Sequence, residues 1–597
     1  MIPADSPLPF GEAHPTQHAM LIVWGYFART IGLLEQMGQV PIAQKAVIRP
    51  PQEKILEWLI GLLSGIEYLS DLSEGAAPLV HDTEVARAWQ LQGLADASGV
   101  SRTLRACDER SVQCLQAALD TVSQPFLARA IADLRQHDEV LVLDVDLTGR
   151  PISSTSESFP GAAFGYMDGE VRLGYQLAEI CLQSRLYGRQ WLSAQHHPGN
   201  TVSSNCLREL IQAAEPRLGC YPRRRTQGLR RRIDECHQTI AKWERLATPQ
   251  DQQIATQAQR VAHLTAQLQR AQDPLQPLPI PSAATRPASP YSKLNRFNQQ
   301  IAGWQRQCQR AQTLIATATV VAQHHRDRQH AYVAERDRLQ ARYERLCQDN
   351  ARQPQPPRCK IRIDAGFCSG ENLTELIELG YEVETKSAHT ALVQTLRQRA
   401  ATDPGWRPVG KNAQMMGWTN YYLATCPYPL TVGLQRFETP KGQLHAVLIR
   451  TQEGLQPACP DLNAWFQDYN GRQTIEAGNK EEKTTFKVQH LMSRSPAGIR
   501  IQAMLTVFAA NFVRWADEWS RPQVEHSSHR FDRALSSPKR WVRVAANSPA
   551  TIDRSNGHVR VRFSPLSSFH GVVIRLADTT GCPLTLPPLA NHHFSSN

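Results

Sequence analysis

Four residues carry the densest chemical pattern in the chain: Tyr469, Arg472, Glu476 and Lys483, within DYNGRQTIEAGNKEEKTTFK. Counted from Tyr469 the spacings are 3, 7 and 14. On one continuous α-helix these positions fall on one narrow face, and Lys480 and Lys487 lie close to the same line. A single carboxylate among basic and aromatic side chains is a poor core stripe. It suits a surface that holds a metal ion beside a nucleic-acid backbone. Arg472 and Lys483 suit phosphate, and Tyr469 suits base stacking.

Two apolar runs upstream end in aspartates that could complete such a site. EVLVLDVDL (Glu139–Leu147) reads as a buried strand, and its alternation puts Asp144 and Asp146 on the same face. CKIRID (Cys359–Asp364) alternates too, with Ile361 and Ile363 on one face and Arg362 and Asp364 on the other. Two strand-end aspartates and a helical glutamate can hold two divalent ions about 4 Å apart, the arrangement that activates a water or hydroxyl and stabilises a leaving oxygen. The candidates are Asp146, Asp364 and Glu476, 218 and 112 residues apart, with Asp144 competing for the first place. A lone strand-end carboxylate is more often a cap or turn former. The argument is the combination, because buried acids cost free energy unless compensated.

The elements that must position these residues are legible in outline. The chain has 597 residues, enough for several domains, with 41% hydrophobic and 20% charged residues. A net charge of +11 favours an anionic partner, nucleic acid before a membrane surface. Thirteen scattered cysteines without a CxxC pair read as reduced thiols of a cytosolic protein. No run reads as a secretory signal or a membrane span, so no membrane partner is expected.

Residues 1–135 read as a helical domain. Leu56, Leu59, Leu63 and Ile66 form a helical stripe. TEVARAWQLQGLADASGVSRTLRAC resembles two short helices around a turn, with Ser98 or Ser101 as cap and Arg102 and Arg105 as possible DNA contacts. Residues 136–214 form the first part of an α/β core. Across 215–356, Leu229, Ile233, Cys236, Ile240, Trp243 and Ala247 recur at heptad spacing, as do Leu294, Phe297, Ile301, Trp304, Cys308, Ala311, Ile315 and Ala318. With a Pro-rich break between them, the two runs predict an antiparallel coiled-coil hairpin inserted in the core. The core resumes over 357–402, a β-rich insertion spans 403–455, and the helix with the opening motif (Asp461–Val488) heads the third part, 456–517. The segment 518–597 reads as a tail with short strands at WVRVAA, VRVRF and GVVIRL.

These blocks resemble a DDE transposase of the bacterial insertion-sequence type that carries a Y-R-E-K signature. Tyr469, Arg472, Glu476 and Lys483 match the signature at every spacing, VLDVDLTG resembles its first aspartate block, and KIRIDAGFCS its second. HLMSRSPAGIRIQAMLTVFAANFVRW resembles the helix that follows the signature. The coiled-coil hairpin and the tail lie outside the resemblance. It implies an RNase H-like mixed sheet flanked by helices, with Asp146, Asp364 and Glu476 as catalytic ligands of Mg²⁺ or Mn²⁺. It also implies cleavage of the element's terminal inverted repeats and joining to target DNA, work for a homodimer on DNA at the bacterial nucleoid. By the same resemblance Tyr469, Arg472 and Lys483 would grip the DNA end; Lys480, which the signature does not include, reads as a general phosphate contact, and Trp418 in the β-rich insertion as a surface on which a flipped base could stack. The competing readings are an RNase H-like nuclease without strand transfer and a catalytically inactive DNA-binding or scaffolding derivative.

Overall fold

The computed structural model describes residues 13–45, 48–75, 77–272, 290–387, 389–403, 405–440, 442–452, 461–535, 538–555 and 557–578. The chain forms two units, one of residues 1–223 with 355–597 and one of residues 224–354.

In the first unit, β1 (His14–Thr16) precedes six helices: α1 (Ala19–Thr30), α2 (Leu33–Gly38), α3 (Pro51–Ser64), α4 (Thr83–Ala88), α5 (Ala97–Ala106) and α6 (Glu109–Gln136). Helix α1 is apolar on all sides and buried from Ala19 to Ala28. Helix α3 carries the expected stripe and stops at Gly65, whose φ of 79° suits a glycine C-cap. Caps at α4 and α5 are aspartates, Asp82 and Asp96, rather than Ser98 or Ser101. A carboxylate accepts from the free amides of a first turn more strongly than a hydroxyl. On α5, Val100 and Leu104 face the core while Arg102 and Arg105 face solvent.

The catalytic-candidate sheet begins with β2 (Leu141–Pro151), β3 (Ala163–Met167), β4 (Glu170–Ser184) and β5 (Gly188–Pro198), followed by α7 (Ser203–Leu218). In the second unit, α8 (Gln227–Gln272) and α9 (Pro290–Arg352) run antiparallel: Arg232 pairs with Glu335, Trp243 meets His325, and Arg260 bonds Gln307. Their seam buries Leu229, Ile233, Cys236, Ala247, Ala311 and Ala318, as the heptads predict, but leaves Leu294 exposed. The Pro-rich break at 273–289 lies outside the described residues.

Back in the first unit come β6 (Cys359–Ile363), α10 (Gly370–Glu378), β7 (Glu382–Ser387), α11 (Thr390–Ala400), β8 (Arg407–Gly410), β9 (Ala413–Tyr421), β10 (Leu430–Thr439) and β11 (Gly442–Thr451). Ten strands form one mixed sheet in the order β3-β4-β2-β6-β7-β11-β10-β9-β8, with β5 also paired to β4. Strands β2, β6 and β7 are parallel, whereas β2–β4–β5 and β8–β11 are antiparallel. The β-rich stretch is therefore an extension of the core sheet, joined where β11 pairs with β7.

Helices α12 (Leu462–Asn470), α13 (Gln473–Thr485) and α14 (Pro496–Ser520) follow, then β12 (Val524–His526), α15 (His529–Leu535), α16 (Pro538–Arg540), β13 (Ala550–Ser555), β14 (His558–Phe563) and β15 (Val573–Ala577). The stretch Pro496–Gln523 is long and apolar enough to cross a membrane, but 83% of its apolar 18-residue window is buried inside the protein. There Trp515 stacks on Phe126 of α6 with centroids 4.4 Å apart.

The C-terminal segment is not a separate tail. Its sheet, β1-β13-β14-β15-β12, takes in the N-terminal strand, and its apolar residues share one cluster with α1, α3, α6 and α14. WVRVAA, expected as a strand, forms a helical turn over Trp541–Ala545. Its buried positions, 541, 542, 545 and 546, follow helical rather than alternating spacing. All eleven cysteines among the described residues are free thiols.

The second unit closes on itself at its base, where Asn350 accepts from the Arg224 amide at 2.8 Å and donates to its carbonyl at 3.0 Å. Excising residues 227–352 and bridging the gap with a short Gly/Ser linker should leave the first unit folding cooperatively, with a thermal midpoint within about 5 °C of the full chain. Circular-dichroism melts read this directly, and loss of a cooperative transition would show that the first unit needs the hairpin.

Candidate active site

Register sets Asp146 beside Asp364, although β2 runs on to Pro151, so that Asp146 lies in the middle of its strand and not at the expected end. Strands β2 and β6 pair in parallel from Leu141 opposite Cys359 to Asp144 opposite Arg362. Two residues further along each strand lie Asp146 and Asp364, on the same face, and neighbouring strands are about 4.8 Å apart. Asp364 ends its strand as the cap of the turn Ala365–Phe367, accepting from the amides of Gly366 at 2.9 Å and Phe367 at 3.3 Å.

Asp144 and Asp146 share a face but not a setting. Asp144 is fully buried, gripped by Arg362 through Nε at 2.6 Å and Nη2 at 2.8 Å, with Gln183 donating at 2.7 Å. Its oxygens are committed to structure. Asp146 keeps partial access to solvent, which separates the two candidates that spacing alone left tied.

The motif segment is not one helix. It breaks at Gly471–Arg472, between α12 and α13. Arg362 Nη1 donates to the Asp468 carbonyl at 2.7 Å, and a Cβ on Gly471 would sit 2.4 Å from the same nitrogen. A larger residue at 471 would push the guanidinium away from the break. One consequence is that Tyr469 does not share an exposed face with Glu476. It is buried, its hydroxyl donates to the Ile363 carbonyl at 3.3 Å, and the Lys386 ammonium stands 5.3 Å from its ring centre. No base can stack on it in this conformation.

Arg472 is buried as well. Its Nη2 donates to Asp146 Oδ1 at 2.7 Å and to the Val145 carbonyl at 3.0 Å, and its Nη1 reaches Glu476 Oε1 at 3.1 Å. The guanidinium thus links the strand carboxylate to the helix carboxylate. Burial pushes its pKa down, but Asp146 and the other acidic groups outweigh this and raise it. Burial raises the Asp146 carboxyl, Arg472 opposes the rise, and the Asp364 charge adds to it. Asn479 Nδ2 donates to the second Asp146 oxygen at 2.6 Å. Among the described residues no three His, Cys, Asp or Glu side chains stand close enough together to hold a metal ion. The expected convergence of Asp146, Asp364 and Glu476 is therefore not realised here, and Arg472 occupies the place between the first and the third.

The remaining expected contacts divide. Lys480 is exposed. Lys483 points to the β3–β4 turn, 3.4 Å from Asp168 Oδ1. Lys487 is tied to Glu67 at 2.9 Å and so is not a free phosphate contact. Trp418 is not a surface residue: it is 7% exposed on β9, paired opposite Val432, with the Arg399 guanidinium 5.3 Å from its ring centre.

Beneath α13 lies a charged layer that sequence reasoning missed. Arg150, Glu179 and Glu482 are essentially inaccessible, and Glu179 sits opposite Asp146 in the β2–β4 register. Burial lifts Glu179 to about 7, and burial and the Glu179 charge lift Glu482 well above the usual range. Among the described residues no hydrogen bond reaches either carboxyl group, and a proton held on one of them relieves their repulsion. Arg150 has no hydrogen-bond partner for its guanidinium and is balanced through space by this pair; burial pushes its pKa down to about 10. Beside them Arg189 donates to the Thr474 carbonyl at 2.5 Å and pairs with Glu481 at 3.1 Å, and Arg514 meets the same carboxylate at 3.2 Å. A Cβ on Gly478 would lie 2.2 Å from Arg189 Cζ, so any larger residue there would displace this guanidinium from beneath α13. The available signal was a glutamate inside the otherwise apolar run LAEICL.

No family model matches this chain, and no curated protein matches it. Among solved structures, the cryo-EM structure of a piggyBac transposase synaptic complex with hairpin DNA is similar at a TM-score of 0.36 and 9% identity, over 88% of this chain and 82% of that one. A likeness at this level carries no argument about fold or activity.

Two predictions follow from the charged layer. Glu482→Gln, which removes one of two mutually repelling buried acids at nearly constant shape, should cost less than about 1 kcal/mol in urea unfolding at pH 7, whereas Arg150→Met should cost about 3–5 kcal/mol by leaving a buried carboxylate without its counter-charge. The Glu179 pKa lies at about 7 in the fold against 4.5 ordinarily, so folding retains a proton that the unfolded chain releases. This contribution is full below pH 4.5 and is lost as pH rises to about 7. Unfolding midpoints of the wild type minus those of Glu179→Gln should fall across that window.

Proposed function

We propose that the protein is a DDE-type DNA transposase that cleaves the ends of an insertion sequence and joins them to target DNA. The observation that carries this reading is the parallel register that sets Asp146 beside Asp364, with Arg472 linking Asp146 to Glu476 of α13. The strand order β5-β4-β2-β6-β7, an antiparallel meander followed by parallel strands, supports an RNase H-like core, and β8–β11 stand where that reading puts its insertion.

The donor types suit Mg²⁺ or Mn²⁺, although Arg472 stands between Asp146 and Glu476 in this arrangement. The donor set is all oxygen, and the Asp364 charge already raises the Asp146 carboxyl, the mutual repulsion that a divalent ion relieves. With Arg472 turned aside, Asp146, Asp364 and Glu476 would hold the metal, whose chemistry would be to activate a water or a DNA 3′-hydroxyl and to stabilise the leaving oxygen. The chain's own part is to position and neutralise. Arg472 balances the carboxylates before DNA arrives and is placed to turn to a phosphate. Lys483 and Lys480 offer phosphate contacts beside it. Asn479 orients Asp146 through its second oxygen. Arg102 and Arg105 on α5, and the basic helical hairpin, provide further phosphate contacts, and two copies join on DNA at the nucleoid.

The test is cleavage of a plasmid carrying the inverted repeats that flank the gene, with Mg²⁺ and with EDTA. Asp146→Ala, Asp364→Ala and Glu476→Ala should each lower cleavage by at least about a thousandfold, with DNA binding nearly unchanged. Cleavage that survives Glu476→Ala would sink the assignment. Precut ends that are hydrolysed but never joined to target would point to a nuclease instead.

A further inference from the structure

The two aromatic side chains assigned to base stacking by sequence, Tyr469 and Trp418, are both buried. Two others are not. Phe164 is 57% exposed and Tyr166 is 71% exposed, both on β3, with Val171 of β4 70% exposed beside them. Residue pairing shows which way they face. Asp146 lies opposite Glu179, Thr148 opposite Leu177 and Arg150 opposite Tyr175. Two-residue steps along β4 then reach Leu173 and Val171, which lie opposite Phe164 and Tyr166. Side chains alternate along a strand, so Phe164, Tyr166 and Val171 occupy the same face of the sheet as Asp146.

This ribbon is held in place. On its other face Gly165 packs against the turn after β5, where a Cβ would sit 1.7 Å from the Gly199 carbonyl oxygen. Gln176 Nε2 donates to the carbonyls of Tyr166 at 3.1 Å and Gly199 at 3.3 Å. At the tip, Asp168 meets Lys483 of α13 at 3.4 Å, and Lys480 stands exposed on the same helix. The result is an exposed aromatic strip with ammonium groups at its end, on the sheet face that carries Asp146 and separated from it by the buried Thr148, Arg150, Tyr175 and Leu177. No other two exposed aromatic side chains share a sheet face among the described residues.

We infer that the Phe164–Tyr166 face of the β3–β4 ribbon is a stacking platform for unpaired bases of the DNA strand handled at the site. The inference rests on the transposase reading and deepens it. Flat aromatic faces suit bases of any identity, adjacent lysines suit the backbone between them, and a chain of net charge +11 favours a polyanion over another apolar surface.

The experiment uses the full chain and two DNA probes, a blunt duplex and the same duplex with a four-nucleotide single-stranded tail carrying 2-aminopurine. Wild type should bind the tailed probe more tightly and quench the 2-aminopurine by stacking. Phe164→Ala/Tyr166→Ala should weaken tailed-probe binding by about tenfold or more and abolish the quenching, with the blunt duplex bound nearly as before. Both side chains are exposed, so the fold should persist, and a circular-dichroism melt checks this. Leu566→Ser, at another exposed apolar site, should change neither probe. Equal affinity of the double variant and wild type for the tailed probe would overturn the inference and leave the transposase reading standing. Failure of the wild type to bind either DNA would remove the transposase reading itself. A wild-type dimer that the double variant converts to monomer without DNA would assign the strip to a second copy of this chain and overturn the inference.

Discussion

The ion pair between Asp144 and Arg362 fixes what everything else at the site depends on. It joins β2 to β6 in full burial, and the same guanidinium reaches the Asp468 carbonyl at the end of α12. One side chain thus sets the relation of two parallel strands and the place where the motif helix breaks. A buried pair of this kind contributes little net stability, since desolvation offsets most of the attraction. Its value lies in geometry: slipping β6 by one residue would turn Arg362 and Asp364 to the opposite face.

Above that pair, charge is arranged in tiers. Arg472 lies between the sheet carboxylate and the helix carboxylate, and Arg150, Glu179 and Glu482 lie between sheet and helix further along. Helix α13 therefore rests on ionic rather than apolar contacts over much of its length. Such an interface has few soft alternatives. Its groups must be balanced wherever the helix sits, so changing one charge shifts the demand on the others.

The strands and helices of the site were legible because their hydrophobic periods are clean: β2, β6, β7, α10, α14 and the heptads of α8 and α9 appear where their patterns put them. What was not legible depended on partners distant in sequence. The spacing of Tyr469, Arg472 and Glu476 suggested one helix face, but α12 ends where Arg362, 106 residues upstream, bonds the Asp468 carbonyl, and the Tyr469 hydroxyl bonds inward to the Ile363 carbonyl. Trp418 read as exposed because nothing local shows that β9 lies inside an extended sheet. WVRVAA read as a strand because β-branched residues outweighed a burial pattern visible only once its neighbours are assembled. Asp144 and Asp146 were equivalent by alternation and became distinct only when Arg362 was placed.

The long hairpin between α7 and β6 has a further consequence, one of timing. Leu141 cannot meet Cys359 until more than two hundred additional residues have been made. At ribosomal rates of roughly 5–20 residues per second the edge of β2 waits about 10–40 s for its parallel neighbour. During that interval the β2–β4–β5 meander can form from local pairings, while an apolar strand edge stays open to wrong partners. The helices α8 and α9, which pack antiparallel on each other, can assemble in the same interval. The hairpin thus delays the meeting of Asp146 and Asp364, and the nascent chain acquires its paired carboxylates only late in synthesis.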